Sequence, residues 1–211
     1  MDFPKERQAI IEVGQRLYDR GLVVANDGNV SMRLPDGSIL CTPTGVSKGG
    51  MTPEMLPRVS LDGTVLYAME GKGPSSEIKM HLRVYERDQS ANGVVHAHPP
   101  YATAFAIRGE TFDAPMMPET VVALPSIPLA GYATPSTHEV PDSIEPFVGT
   151  TSACLLEHHG ALTWGPSLEQ AMLSMERLEY MATVTAITRQ LGGERRLSDE
   201  RITRLKEIFG T

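Results

Sequence analysis

The residues in this chain best placed to do chemistry are histidines. His96 and His98 stand in Gly93-Val94-Val95-His96-Ala97-His98, and His158-His159-Gly160 closes a second apolar run. Side chains at i and i+2 of an extended strand share a face, so His96 and His98 can reach one point from backbone positions about 7 Å apart. Two imidazoles so placed form half of a zinc site, and a catalytic zinc commonly takes three protein ligands and keeps a fourth position open. His158 or His159 could supply the third. Neighbours on a strand face opposite ways, so only one of them can join, and periodicity does not choose between them. The unused one, with His81 and His138, reads as a packed side chain bonded to backbone. A carboxylate able to act as a base stands at Glu77, directly after Pro74-Ser75-Ser76. That run is also what a capped helix start looks like, with Ser75 or Ser76 as the cap and Glu77 in the first turn. The same hydroxyls and free N–H groups would suit a phosphate. Asn26-Asp27-Gly28-Asn29 and Thr42-Pro43-Thr44-Gly45 add two further turns of small hydrogen-bonding residues.

The elements that must position these residues follow from apolar spacing. Pro4 to Gly21 has helical periodicity, with Pro at its start and Gly at its end. Val30, Met32 and Leu34 alternate with polar residues, and Pro35-Asp36-Gly37 turns the chain into Ile39-Leu40-Cys41; Leu61-Asp62-Gly63-Thr64 suggests a second hairpin. A helix follows Glu77, and the strand bearing His96 stops at Pro99-Pro100, where open sheets place their ligands. Tyr101 to Ile107 reads as helix and residues 111–150, rich in Pro, Thr and Ser, as loops and short strands. Thr151 to Glu157 reads as a strand. Pro166 to Leu191 reads as a long helix with Leu168, Ala171, Met172, Met175, Leu178 and Ile187 inward, and a last helix starts at Ser198. No repeat or linker interrupts residues 1–211, which predicts one α/β domain.

Composition narrows the partners. The 211 residues are 41% hydrophobic and 21% charged, as in ordinary soluble proteins. A net charge of −7 without a broad basic surface argues against nucleic acid, so any bound anion needs a focused local site. No run approaches the ~20 apolar residues of a membrane span, and the charged stretch from Met1 to Arg7 is unlike a secretory leader. Cys41 and Cys154 lie in separate apolar segments, a poor disulfide framework, so the expected home is a reducing cytoplasm. No lysine sits in an apolar run that would depress its pKa, which argues against Schiff-base chemistry.

Taken in order, Gly28-Asn29-Val30-Ser31, Thr42-Pro43-Thr44-Gly45, Pro74-Ser75-Ser76-Glu77, Val94-Val95-His96-Ala97-His98 and Leu156-Glu157-His158-His159-Gly160 resemble the class II aldolase/adducin family, nearest its L-fuculose-1-phosphate aldolase branch. The resemblance spans residues 5–210. It implies a three-layer α/β/α sandwich around a mostly antiparallel sheet and a homotetramer with active sites between subunits. It also implies His96, His98 and His159 as ligands of Zn2+, with Mn2+ or Co2+ as substitutes, and Glu77 as the proton-shuttling carboxylate. Asn29, Thr44, Gly45, Ser75 and Ser76 become the phosphate cradle. The implied reaction splits a phosphorylated ketose into dihydroxyacetone phosphate and an aldehyde, the metal acting as Lewis acid for the enediolate formed at the broken C3–C4 bond.

One stretch departs from that branch. Where the fuculose-phosphate enzymes carry a tyrosine that serves the aldehyde end from a neighbouring subunit, this chain reads Pro115-Met116-Met117-Pro118-Glu119. Glu119 or a water then supplies the proton, or the substrate differs at that end; the methionines suit an apolar deoxy or methylthio tail. The same metal and cradle also serve 4-epimerases, sugar-acid phosphate decarboxylases and a methylthioribulose-phosphate dehydratase within the family. Its adducin-like members are cytoskeletal interaction modules that need no metal ligands, whereas here all three histidines and Glu77 are present.

Overall fold

The computed structural model describes residues 2–210. Strands β1 (Asn29–Arg33), β2 (Ile39–Cys41), β3 (Arg58–Val59), β4 (Val65–Tyr67), β5 (Gly93–Ala97), β6 (Leu129–Ala130), β7 (Ala153–Leu156) and β8 (Gly160–Gly165) form one eight-stranded sheet. Its order is β4-β3-β2-β1-β5-β8-β7-β6, antiparallel throughout except for the β6–β7 pair.

Alternation along the central strands sends side chains to two cores. Val94 joins one and Val95 the other, as Leu156 and Leu155 do. On one face, helices α1 (Pro4–Asp19), α3 (Pro100–Arg108) and α6 (Leu168–Gln190) bury Ile10, Leu17, Ala102, Phe105, Met172, Met175 and Leu178 against Val30, Val95 and Leu155. On the other, α2 (Ile78–Arg87) and α5 (Glu139–Ile144) bury Met80, Val84, Tyr85, Val140 and Ile144 against Val94, Leu162 and Trp164. This is the expected three-layer α/β/α sandwich. Each fully buried Leu or Ile contributes about 1.5–3 kcal/mol.

The structure differs from the pattern reading in four places. Residues 160–165, unassigned by periodicity, are β8, because its uninterrupted Gly160-Ala161-Leu162-Thr163-Trp164-Gly165 run is buried on both faces and shows no alternation. The Pro-rich middle contains helix α4 (Pro118–Ala123) as well as α5. Ile187 is 46% exposed instead of inward, while its neighbours Thr185 and Ala186 on α6 face the core. Helix α2 begins one residue later than expected: Glu77 itself occupies the cap position, and Ser75 Oγ accepts the Glu77 N–H at 3.3 Å. That shift frees the Glu77 carboxylate from the helix and turns it toward β5.

Candidate metal and substrate site

The central sheet brings the site together at one end. In the β1–β5 register Asn29 lies opposite His96, and β8 flanks His96 on its other side through Leu162. His98 lies just past β5, where its N–H donates to Leu22 O at 3.0 Å. His159 comes from the tight turn between β7 and β8, which His158 enters with φ 57°. Two glycines permit the close approach. A Cβ on Gly28, which has φ 71°, would lie 2.8 Å from His96 O, and one on Gly160 would lie 2.7 Å from His98 Cδ2 and 2.5 Å from Ala97 O.

The rings of His96, His98 and His159 stand with centroids 4.8–5.0 Å apart, and one nitrogen from each falls within 4.8 Å of the others. His96 Nδ1 donates to Ala161 O at 2.9 Å, which leaves its Nε2 as a lone pair facing the cluster. His98 Nε2 lies 3.2 Å from that nitrogen. Burial pushes the His96 imidazole down to about 3 and also lowers His98, so both present neutral, metal-ready nitrogens at neutral pH. The three imidazoles therefore fit a tetrahedral divalent ion with one position left for water or substrate.

Glu77 faces the cluster, with Oε1 3.2 Å from His159 Nε2 and Oε2 3.5 Å from His96 Nε2. The Asn29 amide donates to Oε2 at 2.8 Å. Burial alone would raise this carboxyl, but His96, His159 and the Asn29 amide outweigh it and hold it well below the usual range. Beside the cluster opens a cavity of about 220 Å³ walled by Asn29, Thr44, Gly45, Ser75, Ser76, Glu77, His98 and His159. Its turns are laced together: Thr44 N donates to Gly73 O at 2.9 Å and Ser75 N to Thr42 O at 3.3 Å.

The profile of the class II aldolase and adducin N-terminal domain matches residues 8–186. The chain belongs to that family. It is 31% identical over 194 residues to a 3-oxo-tetronate 4-phosphate decarboxylase of Escherichia coli, covering 88% of this chain and 90% of that one. It is 33% identical over 182 residues to an L-fuculose phosphate aldolase of Methanococcus maripaludis, covering 86% and 96%. The L-fuculose-1-phosphate aldolase structure from Thermus thermophilus superposes with a TM-score of 0.79 at 32% identity, covering 92% of this chain and 99% of that one.

Within this class II aldolase fold the residues expected at the site converge, with one exception. Glu119 is exposed on α4 and does not line the cavity of its own chain. His158 is exposed beside Tyr132, with ring centroids 6.4 Å apart, and His138 is exposed at the start of α5, so neither is the packed residue expected. His81 is buried, its Nδ1 2.7 Å from Ser31 Oγ, a side-chain partner in place of the backbone one.

Three cavity residues escaped the sequence reading. Ser136, at φ 67°, donates its hydroxyl to Ser76 Oγ at 2.8 Å and closes the cavity with Pro135. Lys48 is perturbed although, as read, no lysine sits in an apolar run: it is 2% exposed, and burial pushes its ammonium down to about 8. Its sequence neighbours, Val46-Ser47 and Gly49-Gly50, are not an apolar run. Tertiary packing buries it, and local sequence gives no sign of that.

Proposed function

We propose that this chain is a divalent-metal-dependent lyase that cleaves a ketose 1-phosphate into dihydroxyacetone phosphate and a small aldehyde. One observation supports the reading above others: three histidine nitrogens converge opposite an ionised carboxylate at the wall of a hydroxyl-lined cavity. His96, His98 and His159 would hold the ion, Zn2+ being the best match to an all-nitrogen set, and bound there it supplies Lewis acidity for charge developing on the substrate's keto oxygen. Thr44, Gly45, Ser75 and Ser76 hold the phosphate and so fix the register of the three-carbon half. Glu77, kept anionic and aimed by Asn29, takes the proton from the C4 hydroxyl as the C3–C4 bond breaks and returns it to C3. That single transfer leaves no proton for Glu119 to carry, so a contact between Glu119 and the aldehyde end would come only from a neighbouring subunit, in the tetramer that the family resemblance implies.

Decarboxylation of a 3-oxo-tetronate 4-phosphate is the second reading, favoured by the Escherichia coli relative. It breaks the equivalent bond and releases carbon dioxide in place of an aldehyde. Its substrate carries a second anionic end, which a divalent ion on the three histidines and Lys48 would face together with Asp27 and Glu77. The deciding experiment is a panel of ketose 1-phosphates and 3-oxo-tetronate 4-phosphate, with and without chelator, scored for aldehyde and for carbon dioxide. Chelator-sensitive aldehyde release is expected, fastest for 5-deoxy or 5-methylthio pentulose 1-phosphates. Carbon dioxide release alone would establish the second reading, and turnover indifferent to chelator would remove both.

A further inference from the structure

We propose that Lys48 is the charged anchor of the phosphate site, donating from its ammonium to the substrate's phosphate beside the hydroxyls of Thr44 and Ser75. The inference rests on the reading that the cavity takes a phosphorylated sugar. Lys48 opens the short turn Lys48–Gly50, three residues beyond Gly45, and is 2% exposed. Its Nζ donates to Asn26 O and to Val46 O, each at 2.9 Å. One ammonium thus ties together the two turns, 26–29 and 43–46, that contribute to the cavity lining.

Fastening two carbonyls does not require a charge. A neutral amide would do it, and a buried ammonium without a contacting carboxylate is strongly unfavourable. Asp27 and Glu77 act on Lys48 only through space, neither forming an ion pair with it among the described residues. An ammonium has three donors and two are used, so one remains for a ligand. Among the residues lining this cavity Lys48 is also the sole lysine or arginine. In a chain of net charge −7 no bulk field draws a dianion in, so the charge must be local. A buried cation lacking a contact anion, at the wall of a cavity lined by hydroxyls, suits a doubly charged phosphate.

Inorganic sulfate, a dianion that does not titrate near neutrality, isolates this property from turnover. Calorimetric titration of the metal-loaded protein with sulfate is compared among the unaltered chain, Lys48→Met and Lys48→Gln, with Co2+ absorption reporting whether the histidine site survives. The expected result is a sulfate affinity at least about tenfold weaker in either variant, the size of one lost charge-assisted hydrogen bond, with the Co2+ spectrum unchanged. Sulfate affinity within about twofold in a folded variant overturns the inference and leaves Lys48 a loop fastener. Should both variants fail to fold, the unaltered protein decides. Its sulfate affinity should weaken about tenfold between pH 7 and 9 as the ammonium is lost, with Asp27, Glu77, His98 and His159 the other titratable groups lining the cavity. A flat profile overturns the proposal. The lyase reading is tested apart from this, by the substrate panel: a chain that cleaves no ketose phosphate yet loses sulfate on substitution keeps the anion site and loses the reaction.

Discussion

Glu77→Gln separates catalysis from architecture at this site. Glutamine keeps the side chain's length, and its amide oxygen can still accept from Asn29 Nδ2, now 2.8 Å from Glu77 Oε2. Its amide nitrogen would face His159 Nε2, 3.2 Å from the present Oε1. The packing therefore persists, and what disappears is the negative charge and the capacity to carry a proton. Positioned acid–base groups contribute about 10²- to 10⁴-fold, so kcat should fall by that factor, or about 3–5 kcal/mol of barrier. The three imidazoles remain, so metal stoichiometry measured by atomic absorption should stay near one per chain. Stability should show the sign of a carboxyl held below its usual range: above about pH 4.5 the ionised group stabilises the fold, and the benefit fades as pH falls through that range. The variant's deficit in urea, measured without metal, should accordingly shrink in acid. Metal lost in step with activity would make Glu77 a structural ligand, and kcat preserved within about threefold would remove it from the proton path.

Two further substitutions test the surroundings of the site. His81 is buried and its imidazole is pushed down to about 4, so the folded chain binds its proton later than the unfolded one, whose value is near 6.5. Stability is complete above about pH 6.5 and is lost as pH falls toward 4, by about 3 kcal/mol at ~1.4 kcal/mol per pKa unit; His81→Gln should flatten that part of a urea-denaturation profile, and an unchanged slope would refute the assignment. Gly160→Ala puts a methyl 2.5 Å from Ala97 O and 2.7 Å from His98 Cδ2. It should cost about 1–3 kcal/mol in denaturant and weaken Co2+ binding at least tenfold by displacing His98, whereas wild-type Co2+ affinity would show that the β5–β8 contact does not set the ligand geometry.

What the sequence made legible was whatever depends on neighbours in the chain. The His96 and His98 pair follows from the period of a strand, the hairpin of β1 and β2 from Pro35-Asp36-Gly37, and the Ser75–Glu77 turn from its own hydrogen-bonding residues. Where burial on both faces erased alternation, as in β8, pattern carried no signal although six consecutive residues are buried. The choice between His158 and His159 was equally invisible to periodicity, because neither lies on a strand: a left-handed residue at His158 turns the chain, and only then does His159 face Glu77. Lys48 is the sharper case. Whether an ammonium is solvated or buried depends on Asn26 O, 22 residues away, and on the packing of the Lys48–Gly50 turn against α1, where its carbonyl would meet a Cβ on Gly14 at 3.0 Å. No window of sequence contains that information. A group whose charge is unfavourable to folding yet kept at the wall of a cavity is explained by a ligand of opposite charge, and at Lys48 that reasoning begins where sequence pattern stops.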